Sequence, residues 1–274
     1  ITGTTTISAS GRNVTLNTAT NNFQGAVGIT GANVSVVDAG AIVLGASTVS
    51  GTYAVTATAG GDITDTGVLA ISGTSTLTVA NSQSITLDES STFATVLFVA
   101  SGGTIASVAI KDSNTLDLGA LTTTGNLTVT TGGAVTNSGA LVIPGTATIS
   151  ASGQNVTLDE SSNNFGTLVV TGANVAATDT NAIILGSATV SGTYGITAGG
   201  AVTNSGALVI PGTSTISASG HNVTLNTTTN NFGTLAITGA NVSAIDANGI
   251  ILGASTVSGT YAVTATAGGD ITDT

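Results

Sequence analysis
The sequence predicts an all-β chain wound as a parallel β-helix (β-solenoid), with about twelve coils in four tandem units. Three observations carry that expectation. Thr, Val, Ser, Gly and Asn dominate, while Leu, Glu, Lys and Arg are scarce, which favours strands over helices. Short stretches alternate in the strand manner: Val14 and Leu16 share one face while Thr15 takes the other, and Ile42/Leu44, Ile183/Leu185 and Ile250/Leu252 repeat the pattern. Finally, the chain copies itself. Gly3-Thr-Thr-Thr-Ile-Ser-Ala-Ser-Gly11 returns at Gly145–Gly153 and Gly212–Gly220, with a diverged copy from Gly73.

The four units run 1–70, 71–142, 143–209 and 210–274, as one continuous solenoid. Leu44–Thr66 is identical to Leu252–Thr274, and Gly132–Thr146 to Gly199–Thr213. Within each unit, a small turn residue followed by Val or Ile recurs at Val14, Val34, Ile63, Ile85, Ile105, Val135, Val156, Val175, Val202, Val223, Val242 and Ile271. Most steps are near 20 residues, but Val34 to Ile63 spans 29. Three coils per unit accommodate this if the middle coil carries about eight extra residues near Ala46–Ser50, as a wider corner or one more short strand. At ~4.8 Å per coil the stack would measure roughly 58 Å. Large coils with irregular corners point to right-handed winding. Sandwich domains need roughly 100 residues each, and propeller blades carry aromatic signatures, so neither fits.

Composition narrows the function. Charged residues are only 5% of the chain and the formal net charge is −11, so nothing basic is available to neutralise phosphates. Nucleic acid and anionic membrane are therefore excluded as partners. The most apolar window, Ala94–Ile110, is broken by Ser101-Gly-Gly-Thr104, which is too short for a spanning helix. Disorder is a poor fit to a hydrophobic fraction of 41%. With no Cys, disulfides and thiolate metal sites are ruled out. The chain opens on Ile1 without a charged-then-apolar leader, and reads as a processed product or an excised piece.

The copies also sort candidate chemistry from structure. Phe23, Phe93, Phe165 and Phe232 are equivalent, as are Tyr53, Tyr194 and Tyr261, with Leu127 standing in the second unit. A carbohydrate-stacking platform is the functional reading, and core or corner filling the structural one. Tyr53 shares parity with Val55 and is expected to point inward. Asp38, Asp112, Asp179 and Asp246 recur once per unit, too sparsely to build a calcium cage. Turn capping is expected of them. Asp88-Glu89 and Asp159-Glu160 are read as strand neighbours pointing to opposite faces, unsuited to joint acid/base work. His221 aligns with Arg12 and Gln154, which marks an exposed turn and leaves no base for a Ser or Thr nucleophile. Sequons stand at Asn13, Asn33, Asn126, Asn155, Asn222, Asn226 and Asn241. Five of these are the turn into a strand, while Asn126 and Asn226 are the less obligatory ones. Thr4/Thr6, Thr74/Thr76, Thr146/Thr148 and Thr213/Thr215 face outward by parity, a Thr-x-Thr pattern used by ice-binding solenoids, though here once per three coils. No catalytic, cofactor-binding or metal residue is expected, and no enzyme.

The stretch Gly125-Asn-Leu-Thr-Val-Thr-Thr-Gly-Gly-Ala-Val-Thr-Asn-Ser-Gly-Ala-Leu-Val-Ile143 resembles the repeats of filamentous-haemagglutinin-like bacterial exoproteins. It is also similar to repetitive stretches of giant bacterial surface and S-layer-associated proteins. That resemblance implies a parallel β-helix, export as an unfolded chain, and a role as an adhesin or surface fibre. The expected function is thus a non-catalytic segment of an extracellular bacterial fibre or adhesin stalk, located outside the cell or on its surface. Expected partners are copies of itself or adjoining repeats end to end, and a host or neighbouring cell surface or glycans. A carbohydrate-binding or carbohydrate-active β-helix is the alternative, followed by an ice-binding one.

Overall fold
A computed structural model describes all 274 residues. Every element is a β-strand, and the pairings are parallel, as the sequence leads one to expect. The chain divides into two compact units, Ile1–Gly139 and Ala140–Thr274. No helix is long and apolar enough to cross a membrane.

Each unit is a parallel β-solenoid with about three short strands per coil. In the first unit, Val27–Gly31, Val34–Asp38 and Ile42–Leu44 make one coil, and Ser47–Val49, Tyr53–Ala57 and Ile63–Asp65 the next. Short β-branched runs between small turn residues cannot bury an apolar face alone, and only the next coil completes the core. Coil length varies with the corner: Val27 lies under Leu44, 17 residues on, and Ile85 under Val108, 23 on.

Stacking one position up the first unit gives Val14, Val34, Tyr53, Ser75, Val96, Leu118 and Asn137. The second unit reproduces this column as Val156, Val175, Tyr194, Ser214, Leu235, Leu252 and Asp273. The first three members belong to one sequence repeat and the last four to the next. In the later repeat, the counterparts of Val14, Val34 and Tyr53 stand elsewhere, as Ile85, Val108 and Leu127 above Ile42 and Ile63. Ile42 lies eight residues beyond Val34 in a coil of 19, nearly half a turn away.

This corrects two expectations. A sequence repeat holds about three and a half coils, not three with a lengthened middle one. Residues near Ala46–Ser50 do form a short strand, Ser47–Val49, but it belongs to a coil of ordinary length. The 29-residue step from Val34 to Ile63 crosses to the other stacking column, so it counts a coil and a half. Ile105 is likewise no counterpart of Val34; it makes a lone bridge to Thr123, and Val108 takes the strand position.

The interior of each unit is mostly aliphatic, with a few aromatic and small polar side chains among Val, Ile and Leu. Ile42, Leu44, Val55, Ile63, Leu69 and Leu77 are fully buried in the first, and Leu158, Phe165, Leu168 and Val202 in the second. Each contributes about 1.5–3 kcal/mol of burial free energy against the cost of ordering the chain. Turns close through left-handed glycines: Gly11, Gly153 and Gly220 have φ of +68°, +73° and +76°. The next residue folds back, Arg12 N–H donating to Ala9 O at 2.9 Å. Ser82 holds the same place in the second repeat at φ +61°, where a Cβ is strained.

Candidate functional site
The recurrent polar residues converge on one knot per sequence repeat. Asp38 is fully buried; its Oδ2 accepts the Phe23 N–H and its Oδ1 the Gly40 N–H, both at 2.7 Å. Asp112 binds Phe93 and Asn114 at 2.8 and 2.6 Å, Asp179 binds Phe165 and Asn181 at 2.6 and 2.9 Å, and Asp246 binds Phe232 and Asn248 at 2.7 Å each. The expected turn cap is therefore present, and each Asp also grips a backbone amide of the coil beneath. Burial pushes the Asp112 and Asp179 carboxyls up, and the N–H bonds pull them part of the way back.

Sequence reasoning missed the second member of the knot. The residue two before each Phe is Asn21, Ser91, Asn163 or Asn230, and the last three are fully buried. Asn163 Oδ1 accepts the Leu141 N–H at 2.8 Å, and its Nδ2 donates to Leu158 O at 3.0 Å. Asn230 binds Leu208 N–H and Leu225 O in the same way, and Ser91 Oγ accepts the Leu69 N–H at 3.0 Å. The signal was available: Asn-Asn-Phe returns in three copies, and the fourth keeps a short acceptor at its first position.

The Tyr side chains do point inward. Tyr53 is 1% exposed and Tyr194 is fully buried, whereas Tyr261 in the last coil is 37% exposed. Burial pushes both interior phenols far above their ordinary range. Inside the core they offer no stacking platform for a sugar. The Phe residues are equally buried, Phe165 completely.

Other expectations fall into place on the surface. Arg12, Gln154 and His221 all sit exposed in the glycine turns. Asn13, Asn155 and Asn222 begin short Asn ladders: each Oδ1 accepts from the Nδ2 of Asn33, Asn174 or Asn241 above it at 3.0 Å. In turn, Asn33 Oδ1 takes the Thr52 N–H at 2.9 Å, and Asn241 Oδ1 the Thr260 N–H at 3.0 Å. Asn226 accepts from Ser243 Oγ at 2.9 Å, and Asn126 N–H donates to Ser107 Oγ at 3.1 Å. Shallow grooves of about 160 and 250 Å³ run beside the Asn33 and Asn241 ladders, walled by Ser, Thr and Val.

One reading needs correction. Asp88 and Glu89 do not point to opposite faces of a strand. Both are exposed where the register slips between Leu87 and Ser91, while Asp159 and Glu160 lie beyond the strand Val156–Leu158. The outward Thr-x-Thr pair does not recur coil after coil, although single hydroxyls do. Thr178, Thr197, Ser217, Thr238 and Thr256 stack outward in five successive coils. It is a single hydroxyl column, however. The column two residues earlier holds Ala176, Gly195, Thr215 and Ala236.

Asp65 is the one buried carboxylate outside the knot. Its Oδ1 accepts the Asp88 N–H at 2.9 Å, while Oδ2 is buried without a partner. Desolvation pushes its carboxyl up to about 6. No group of three or more His, Cys, Asp or Glu side chains is placed to hold a metal ion.

Fold and knot together define a tandem-repeat β-solenoid whose recurrent polar residues bind one coil to the next. The chain belongs to the family described as "Repeats of unknown function (DUF5649)", which matches residues 1–30, 31–100, 105–172, 172–238 and 239–274. The chain matches no curated protein and no solved structure.

Proposed function
We propose that this protein is a non-catalytic structural segment of an extracellular bacterial fibre or adhesin stalk, continuing or assembling end to end. The filamentous-haemagglutinin-like resemblance belongs to the same reading, as does location on or outside a bacterial cell. One observation carries it. The residue types that recur in every repeat, Asn or Ser, Phe and Asp, are spent on core packing and backbone hydrogen bonds, each Asp taking one amide of its own turn and one of the coil beneath. Such a module extends by adding coils, and its Thr, Ser and Asn surface stays hydrated without charge pairs. Adjoining repeats or further copies are its partners along the stack, and a host or neighbouring cell surface its target.

Negative-stain microscopy of the purified chain tests this reading. Elongated particles that lengthen with concentration are expected; compact particles of fixed size at every concentration would overturn it. Surface biotinylation of intact source cells tests location, with labelling expected.

A second reading is glycan binding along the Asn ladders, favoured by the recurrence of the same polar groove beside Asn33 and Asn241. A polysaccharide panel checks it, with binding lost on Asn33→Ala and Asn241→Ala together.

A further inference from the structure
We propose that Asn248 is a site of spontaneous, irreversible modification: its side-chain amide is lost to attack by the Gly249 backbone nitrogen, leaving aspartate or isoaspartate in the turn capped by Asp246. The reaction consumes only water and needs no partner, so it stands apart from the fibre reading above.

The knot prepares the position. The residue two after each capping Asp is Gly40, Asn114, Asn181 or Asn248. At the three Asn, the Asp Oδ1 accepts the Asn N–H, at 2.6 Å from Asn114, 2.9 Å from Asn181 and 2.7 Å from Asn248. The backbone amide is thereby tied down, while the side chain is exposed and makes no hydrogen bond of its own. Asn33 differs, because both ends of its side-chain amide are engaged in a ladder. The turn is exposed in the interior repeats as well, at Asn114 and Asn181, so access to it is a property of the repeat.

One difference separates the three copies. Asn114 precedes Thr115 and Asn181 precedes Ala182, but Asn248 precedes Gly249, the sole Asn-Gly pair in the chain. A Cβ on the following residue shields its nitrogen and narrows its φ and ψ, and glycine imposes neither constraint. Gly249 is exposed and lies just before the strand Ile250–Leu252, and its N–H donates to no backbone acceptor. Nothing in the ladder therefore holds that nitrogen away from Asn248 Cγ.

In the first step Gly249 N bonds to Asn248 Cγ and the Cγ–Nδ2 bond breaks. Ammonia leaves with the proton of the Gly249 N–H, and a five-membered succinimide closes. Water then opens the ring at either carbonyl, giving aspartate, or isoaspartate with the main chain rerouted through the side chain. Either product sets a carboxylate two residues from the buried Asp246. Isoaspartate also lengthens the backbone by a methylene just where the strand Ile250–Leu252 is about to begin.

The test is incubation of the folded chain in mildly alkaline buffer made with heavy-oxygen water. Cleavage before Asp then puts Asn114, Asn181 and Asn248 in separate peptides for mass mapping. Heavy-oxygen uptake at Asn248 is expected at least ~10-fold faster than at Asn114 or Asn181, a barrier difference of about 1.4 kcal/mol. Gly249→Ala slows Asn248 to the Asn181 rate. Ala182→Gly carries the fast reaction to Asn181, which keeps the test decisive if the first variant misfolds. Equal rates at all three Asn, no gain at Asn181 in Ala182→Gly, or conversion of Asn248 in urea but not in the fold would each overturn the proposal.

Discussion
Asp179 holds the backbone of Phe165: its Oδ2 accepts the Phe165 N–H at 2.6 Å, while Oδ1 takes the Asn181 N–H at 2.9 Å. One buried carboxylate thus closes its own turn and fastens it to the coil beneath. The contact recurs in all four repeats, which makes it the signature of the array.

Asp179→Ala leaves the buried Phe165 N–H unmet and strips the cap from the partly exposed Asn181 N–H. The buried amide costs about 1–3 kcal/mol and the partly exposed one less, so a loss of roughly 1–3 kcal/mol is expected. Asp179→Asn keeps one acceptor and should lose less. Urea unfolding followed by far-UV circular dichroism measures the difference.

Asp65 should give the protein an inverted pH response. Its carboxyl is pushed up to about 6 in the fold, above the ~3.9 of an unfolded chain. The folded state therefore binds the proton more tightly. That stabilisation is full below the unfolded value and is lost as pH rises through about 6. Asp112 and Asp179 shift in the same direction. Tm is expected to fall between pH 4.5 and 7.

Asp65→Asn should flatten part of that slope and stabilise the fold at pH 7 by roughly 1 kcal/mol. The equivalent Asn137 and Asn204 show why: their Nδ2 atoms donate to Gly139 O and Gly206 O at 2.9 and 3.0 Å. Thermal melts of both proteins across pH 4–8 decide it.

Ser82→Gly is expected to stabilise by about 0.5–1 kcal/mol. Ser82 occupies a left-handed turn at φ +61° that Gly11, Gly153 and Gly220 fill in the other repeats. Relief of Cβ strain outweighs the added freedom of the unfolded chain. A shift of the urea midpoint with unchanged slope checks it.

Tyr194→Phe should be neutral or stabilising by up to ~1 kcal/mol. The Tyr194 hydroxyl is buried with no protein partner, as is the Oγ of Ser214 stacked on it. Removing an unmet polar group while keeping the ring costs no packing. Calorimetry on the variant is the check.

Much of this was legible in the residues. Alternation at Val14–Leu16 and Ile42–Leu44 placed strands correctly, and the exposed turn at Arg12, Gln154 and His221 followed from the variety it accepts. Parity with Val55 alone places Tyr53 inward. The buried Asn163 and Asn230 were not found, because Asn before a strand usually reads as a solvent-exposed turn. Only their contacts with the amides of Leu141 and Leu208 distinguish them.

The sequence by itself determined the class of fold, an average coil of about twenty residues and most of the positions that repeat, because each is a periodicity along one dimension. Only the tertiary structure decided which positions meet. Register depends on where each corner lets the chain turn, and corners here vary the coil from 17 to 23 residues. A repeat of three and a half coils therefore brings Ser75 over Tyr53 and sends Ile85, the counterpart of Val14, to the other column. No count along the chain contains that half turn, since it arises from backbone pairing between residues some twenty positions apart.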